Sequence, residues 1–549
     1  MRGFARKRWL VSVAVLLLLS LVLAACSSGK QDEADAKSVK KETGANSGKG
    51  DTTAEKGTSG EEAAKREISI LLSHNNSGFA SKAPDEQKQK YYDELKKLSG
   101  YNVKYEYLGM DIDFRQQMAL RFASGELADL VRTDGIDSQV HQGAVDQGVF
   151  HELGPLIDQY GQNLKKKIPD VAWNSPRVTK NGKIYGIPTL SGAPADRIMF
   201  YRQDFLDKVN MEVPKTLDEF TKFAEAVHNT DVNGDGDPHN TWALSLTDAM
   251  SWRDVLTGSF GIRPGAWHLH NGQLEPDIIQ PEMKEAIAYY KMLYDKGYIE
   301  KNFITKKQGD SGKDIFSGTV AAWGAATYQY PAVSAFEYPN QPNAAITMAV
   351  PPKGPRGENY LQIVTDQIYF VWTIPADRKN PEEIIKFLDW AWSSPEADKF
   401  FAYGINGHNY TEENGQIKFD PLSERNTGPL NEKEFFQLSM NVRENGLNNP
   451  AVLKAMPSSD VILKGYKDSE STILNNDAMY MPKLKALDGR PELSPDFASG
   501  SLFYDEFVKL VVGKEDLDKG FDAFVKEWKQ RGGDAAIKEA TDWYNSKKK

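Results

Sequence analysis

The chain of 549 residues has a single cysteine, Cys26. No disulfide can form within one chain, and no cysteine-based metal site or redox pair exists. The eight histidines never take an HxxxH or HExxH spacing, which removes the zinc-enzyme signature. A GxSxG elbow, a Walker A loop and a Rossmann glycine run followed by a suitable acid are also missing. Positive charge is in deficit. The 67 Lys and Arg stand against 77 Asp and Glu, a formal net charge of −10, which argues against a nucleic-acid partner. No internal repeat is visible. Beyond the first 25 residues, no run is apolar enough to span a membrane.

What is present starts at the N-terminus. Arg2, Arg6, Lys7 and Arg8 precede an apolar stretch over residues 9–25, whose only hydroxyls are Ser12 and Ser20. The stretch ends in Leu23-Ala24-Ala25-Cys26. A basic start, an apolar run and small residues at a cut site make residues 1–25 a secretory signal peptide. The tetrapeptide resembles the bacterial lipobox, which implies cleavage before Cys26 and its acylation, hence a lipid anchor on the outer face of the cell membrane. The alternative is an uncleaved membrane helix of marginal length. Cleavage removes four positive charges and leaves about −14. Residues 27–65 contain no aromatic residue, and Val39 is their only β-branched aliphatic. They cannot bury enough apolar surface to order themselves. Residues 26–65 are therefore expected to be a flexible tether, spanning about 35 Å as a coil.

The rest is too long for one ordinary core. Ile68 to Leu72 predicts a buried strand, residues 84–98 an amphipathic helix, and Val103 to Tyr107 a second strand. Phe114 to Phe122 predicts a helix and Asp129 to Val131 a third strand. This order predicts an α/β fold with a mostly parallel sheet and helices on both faces. The alternation continues past residue 185. It has a strand at Ile198 to Tyr201, a helix at 216–228 opened by a Thr216-x-x-Glu219 capping box, a helix at 281–297 and a strand at Gly318 to Trp323. Helices are expected at 381–392, 432–444, 502–512 and 517–530.

Several ordered motifs carry a family resemblance. Ala119-Leu-Arg-Phe-Ala-Ser-Gly-Glu-Leu-Ala-Asp-Leu-Val131 is followed by Gly182-Lys-Ile-Tyr-Gly-Ile-Pro188, Phe200-Tyr-Arg-Gln-Asp-Phe-Leu206 and Val213-Pro-Lys-Thr-Leu-Asp-Glu-Phe220. Phe316-Ser-Gly-Thr-Val-Ala-Ala-Trp323, Phe387-Leu-Asp-Trp-Ala-Trp-Ser-Ser-Pro395 and Tyr403-Gly-Ile-Asn-Gly-His-Asn-Tyr410 come later. The set resembles extracellular solute-binding proteins of the maltose-binding type. The last motif is similar to one in their large Gram-positive lipoprotein branch. The resemblance covers about residues 66–545. It implies a two-lobed, periplasmic-binding-protein-like (type II) fold with discontinuous lobes joined by a hinge. Lobe one is then expected at 66–188 plus about 365–450, and lobe two at about 189–364 plus 451–545. Closure over ligand would be hinge motion.

The sharpest local motif is Asp231-Val-Asn233-Gly-Asp235-Gly236-Asp237-Pro-His239-Asn240. Oxygen side chains at positions 1, 3 and 5 with Gly at 6 match the first half of an EF-hand loop. Position 9 is His239, a nitrogen donor, and position 12 is Trp242, so no bidentate Glu closes the site. By resemblance to related lipoproteins, Asn240 takes a ligand place before Thr241-Trp242. The loop is either a structural Ca²⁺ site built from Asp231, Asn233, Asp235, Asp237 and Asn240, or a plain Asn-Gly/Asp-Gly turn.

Sugars present C–H faces and hydroxyl rims, so their sites need flat rings beside carboxylates, amides and Arg. By the family resemblance, Trp252 and Trp323 correspond to aromatic ligand platforms and Asp134 to a polar contact in the first lobe. Trp267, Tyr328, Arg197 and Asp366 are further candidates. The bland alternative is core packing for the rings and a surface ion pair for Arg197. Trp390, Trp392, Trp528 and Trp543 fall in or beside predicted helices and are expected to be packing.

Three function classes compete. The first is a non-enzymatic, substrate-binding lipoprotein of an ABC importer, which captures an oligosaccharide-like solute and meets permease subunits. The second is a lipid-anchored glycoside hydrolase or lyase, for which paired carboxylates would suffice. With so many acidic residues a pair is always at hand. The third is a sugar-sensing surface protein. Export signal, tether, two-lobe pattern and aromatic supply all fit the first.

Overall fold

The computed structural model describes residues 66–547, apart from 76, 110, 249, 251, 252 and 307. The signal peptide, Cys26 and the tether lie outside the described residues, and so does Trp252. The strands that organise the fold are β1 (Glu67–Ser73), β2 (Asn102–Leu108), β3 (Leu130–Thr133), β4 (Ile187–Leu190) and β5 (Arg197–Arg202). Next come β6 (Trp267–His270), β7 (Gln273–Pro276), β8 (Ala322–Ala326) and β9 (Ile346–Ala349). β10 (Gln362–Ile363), β11 (Ile368–Thr373) and β12 (Ile473–Leu474) follow.

The first sheet has the order β2-β1-β3-β11-β4. β1 pairs parallel with β2 and β3, whereas β11 runs antiparallel to both β3 and β4. The expected mostly parallel sheet is therefore mixed. β11 enters from the far half of the chain, so no right-handed crossover dictates its direction. β1 is buried on both faces. Ile68, Ile70 and Leu72 join one apolar cluster, while Leu71 packs on the other side with Phe114, Met118 and Val131. The helix Asp85–Ser99 buries Tyr91 and Leu95. It stops at Gly100, whose φ of 76° gives the left-handed C-terminal cap.

Past residue 185 the expected alternation does not build a parallel sheet. The second sheet has the order β8-β5-β9, antiparallel throughout. The strand expected at Gly318 to Trp323 starts later, at Ala322. The helix Leu217–His228 begins as its capping box predicts. Thr216 Oγ1 accepts from the Glu219 N–H at 3.2 Å, and Glu219 Oε2 accepts from the N–H of Lys215 at 2.6 Å. The helix expected over 432–444 is short. It spans Glu432–Glu434 and continues as a π turn, Phe435–Ser439, with Phe435 and Phe436 both buried.

Two large cores result. One draws on residues from Ile68 to Ile187 and again from Ile368 to Val442. The other draws on Met199 to Leu361 and again on Ala478 to Ala540. Three connections run between them: the link from β4 to β5, the link from β9 through β10 to β11, and the segment after Val442. These connections are tied together. β10 pairs parallel with β12. The Leu190 N–H donates to the Arg443 carbonyl at 2.8 Å, and the Ser191 N–H to that of Gln367 at 2.9 Å. The described residues all fall in one unit by backbone contact. Among the described residues, no helix is long and apolar enough to cross a membrane.

Candidate functional site

Asp134 follows the last residue of β3, outside the carboxyl end of a parallel strand, where α/β sheets place their ligands. It lines a crevice of about 190 Å³. One wall is Asp134, Gly135 and Arg177 from the first core's side. The other is Met481 and Lys483, on a segment anchored in the second core through Leu484. Arg177 organises the first wall. Its Nε donates to the Asp134 carbonyl at 2.7 Å and its Nη1 to that of Ile368 at 2.9 Å. The same Nη1 lies 3.3 Å from Asp366 Oδ1, while Ser175 Oγ donates to Asp366 Oδ2 at 2.6 Å. Asp366, an expected ligand contact, is thus a strut that aims Arg177.

Beneath this wall His141 Nε2 stands 2.6 Å from Thr133 Oγ1, with the rings of Phe122 and Phe150 against the imidazole. Burial pushes the His141 pKa down to about 4, so the ring is neutral at neutral pH. Gln142 Nε2 donates to Asp488 Oδ2 at 2.7 Å.

Arg197 opens β5 and lines a second cavity, of about 380 Å³, with Arg263, Gln362, Thr365, Asp496 and Phe497. Three guanidinium groups gather near the buried Asp254. Arg263 Nη2 is 2.9 Å from Asp254 Oδ2, and Arg197 Nη2 donates to the Asp254 carbonyl at 3.4 Å. Burial, then the like charge of Arg263, lowers the Arg197 pKa to about 10. Burial lowers Arg253 to about 10 as well. Burial pushes the Asp254 carboxyl up, but Arg263 and hydrogen bonds from Thr257 and Tyr290 outweigh it and hold it below its ordinary value.

Three of the four expected rings lie among the described residues, and all three pack in apolar clusters. Trp323 is 1% exposed and stacks on Phe200, centroids 5.7 Å apart, in a core shared with Ile198 and Val333. All of β8 is buried, so neither face offers this ring to a ligand. Trp267 is 3% exposed and belongs to the second core. Tyr328 is partly buried against Val452 and Tyr466, and burial raises its pKa to about 12. Trp392 and Trp528 are core residues, and Trp390 and Trp543 pack partly buried against the two cores.

The loop 231–240 is folded on its own side chains. Asp231 accepts backbone N–H bonds from Gly234, Asp235 and Gly236 at 2.8, 3.1 and 2.9 Å. Asp235 Oδ2 receives Asn233 Nδ2 at 3.0 Å and Asn240 Nδ2 at 2.6 Å. Asn233, Asp235 and Asn240 therefore share one focus, and turning either amide presents an oxygen there. His239 Nδ1 contacts the His228 carbonyl oxygen at 2.8 Å. The donor chemistry at the focus is hard oxygen, which suits a calcium-class cation.

Arg177, Arg263 and Lys483 were not among the sequence candidates. They sit in loops with no periodicity, and the only signal for Arg177 is its place before the Gly182-to-Pro188 motif.

The comparisons agree with this architecture. The family model for bacterial extracellular solute-binding proteins matches residues 80–398. The chain is 27% identical over 480 residues to Lipoprotein LipO of Bacillus subtilis (strain 168), which covers 83% of this chain and 88% of that one. It is 25% identical over 442 residues to the polygalacturonan/rhamnogalacturonan-binding protein YtcQ of the same organism, 78% of this chain and 82% of the relative. The S. pneumoniae ABC-transporter substrate-binding protein FusA in complex with kestose superposes with a TM-score of 0.65 at 19% identity, over 88% of this chain and 99% of that one. An EF-hand mutant of FusA superposes with a TM-score of 0.64. The fold is that of the two-lobed, type II binding proteins. With the family's model matched over more than half its length, this chain belongs to the bacterial extracellular solute-binding proteins.

Proposed function

We propose that this protein is the substrate-binding component of an ABC importer, taking an oligosaccharide-like solute between its lobes and passing it to permease subunits. The observation that carries this is the crevice itself. Asp134 and Arg177 on one wall face Met481 and Lys483 on the other, and Arg197, Gln362, Thr365, Asp496 and Phe497 line the second cavity. Carboxylate, guanidinium, amide, hydroxyl and ring together in the second cavity match the rim and faces of a sugar. Relatives named as polygalacturonan/rhamnogalacturonan-binding and as ABC-transporter substrate-binding support it. Of the four expected rings Trp252 is the one we retain as a platform, and Phe497 supplies the ring of the second cavity.

The lobe boundaries in this reading are 66–188 plus about 365–450, and about 189–364 plus 451–545. Cys26 carries the lipid anchor and residues 26–65 the tether. The loop 231–240 holds a structural Ca²⁺, a reading that the EF-hand described for FusA supports. The protein binds its solute without turning it over. Titration calorimetry against neutral and acidic oligosaccharides tests the reading, together with an assay for reducing ends. Saturable one-to-one binding with no new reducing ends is expected. Turnover, or no binding across the panel, overturns it. Loss of solute uptake on deleting the protein separates import from sensing.

A further inference from the structure

His268 and His270 lie two residues apart on β6, so their side chains leave one face of the strand. Asp277 follows β7 directly and is fully buried. One ligand atom from each of the three lies within 4.8 Å of the other two. His268 Nδ1 is 2.6 Å from Asp277 Oδ1, and its Nε2 is 2.9 Å from the carbonyl oxygen of Asn475. The Arg263 N–H donates to Asp277 Oδ2 at 2.7 Å. His270 Nε2 is shielded from water and has no hydrogen-bond partner among the described residues.

Protons alone satisfy this cluster poorly. The contact between His268 Nδ1 and Asp277 Oδ1 needs one proton between them, and the Asn475 carbonyl accepts from Nε2. The shielded nitrogen of His270 is still left unpaired, which costs free energy. A divalent cation can take up that nitrogen and replace the proton held between His268 and Asp277. The outer contacts are already those of a metal site, where a ligating His donates its other N–H to a carbonyl and a ligating carboxylate is itself hydrogen-bonded.

We propose that His268 Nδ1, His270 and Asp277 bind one divalent transition-metal ion of the zinc class, with water completing a tetrahedron. On binding, the lone pair of Nδ1 goes to the metal and the proton it carried passes to solvent, while Nε2–H goes on donating to Asn475. Two imidazoles and a carboxylate suit zinc and its neighbours, and calcium takes oxygen instead. Ligand atoms around one zinc stand about 3.3 Å apart, a short swing of His270 from the present spacing. The site shares no residue with the loop 231–240 or the Asp134 crevice, and Arg263 alone links it to the second cavity. It clamps the β6–β7 hairpin onto the segment after β12, where the Trp267 N–H donates to Asn476 Oδ1 at 3.1 Å and the Leu269 N–H to Asp477 Oδ2 at 2.9 Å. The ligands come from a strand and the residue beyond its hairpin partner, so no helical HxxxH spacing announces them.

The test is calorimetric titration of the chelator-stripped full protein with Zn²⁺ in excess Ca²⁺, plus visible absorption with Co²⁺. One equivalent of Zn²⁺ and the d–d bands of four-coordinate Co²⁺ are expected. Both should be lost in His270→Ala and Asp277→Asn and kept in His239→Ala. His270 is partly exposed, so its truncation spares the fold, which circular dichroism verifies; His270→Gln provides a second variant. No Co²⁺ bands in the wild type, or wild-type Zn²⁺ affinity retained in both His270 variants, overturns the proposal.

Discussion

Tyr480 donates its phenolic hydrogen to the carbonyl oxygen of Val171 over 3.1 Å. Val171 lies in the short helix Asp170–Trp173, beside the first core, and Tyr480 on the segment anchored in the second. The bond therefore joins the two sides of the crevice. Tyr480 makes it from a left-handed backbone, φ 69°, which a non-glycine residue adopts at a cost. Tyr480→Phe removes one neutral hydrogen bond, about 1 kcal/mol. Small-angle scattering of the ligand-free variant should show a larger radius of gyration than wild type. An unchanged radius would mean that this bond does not hold the lobes together.

Arg177 should tolerate neither Ala nor Lys. Three of its contacts need a planar fork, and an ammonium cannot reach the Asp134 carbonyl and Asp366 together. Both variants are expected to lose about 2 kcal/mol in urea unfolding and to weaken solute binding. A Lys variant with wild-type stability would show that the charge alone matters.

His141 sets a pH dependence. Its folded pKa, about 4, lies below the ordinary 6.5, because burial disfavours the charged ring. The unfolded chain thus takes the proton first. Stability is full above about pH 6.5 and falls as pH drops toward 4, by about 3 kcal/mol in all from this group. His141→Gln should flatten the melting-temperature profile across that window, which scanning calorimetry reads.

Calcium at the loop 231–240 should appear as a thermal shift. A cation bound only by the folded state adds about 2.7 kcal/mol at a hundredfold excess over its Kd. EDTA should lower the melting temperature of wild type and leave Asp235→Ala unmoved. An EDTA-insensitive wild type would reduce the loop to a turn held by Asp231 and Asp235.

Trp323 should behave as a core residue. Trp323→Ala empties a site in which Phe200 stacks on the ring, a loss of about 3–5 kcal/mol. The conservative Trp323→Phe should lower the melting temperature while leaving solute affinity within twofold, about 0.4 kcal/mol. A large affinity loss with unchanged stability would return the ring to the ligand site.

Much of the fold was legible in local patterns. Ile68 to Leu72, the 3.6-residue spacing of Tyr91 and Leu95, and the Thr216–Glu219 box each formed the element they predict. Motif order carried the family. The site was less legible, because a ring's type does not say which side of a strand it takes. Trp323 was expected at a strand end facing ligand and instead lies inside a strand buried on both faces.

By itself the sequence determined the composition-level facts: one cysteine beside a small-residue cut site, an acidic chain, the α/β element order and an oxygen-rich loop at 231–240. These depend on neighbours within a turn or two, where periodicity and capping act. Tertiary structure alone decided that β11 enters the first sheet antiparallel, that Arg177 is aimed by Asp366, and that His268, His270 and Asp277 converge. Those outcomes depend on contacts between residues far apart in the chain, which local propensity does not encode.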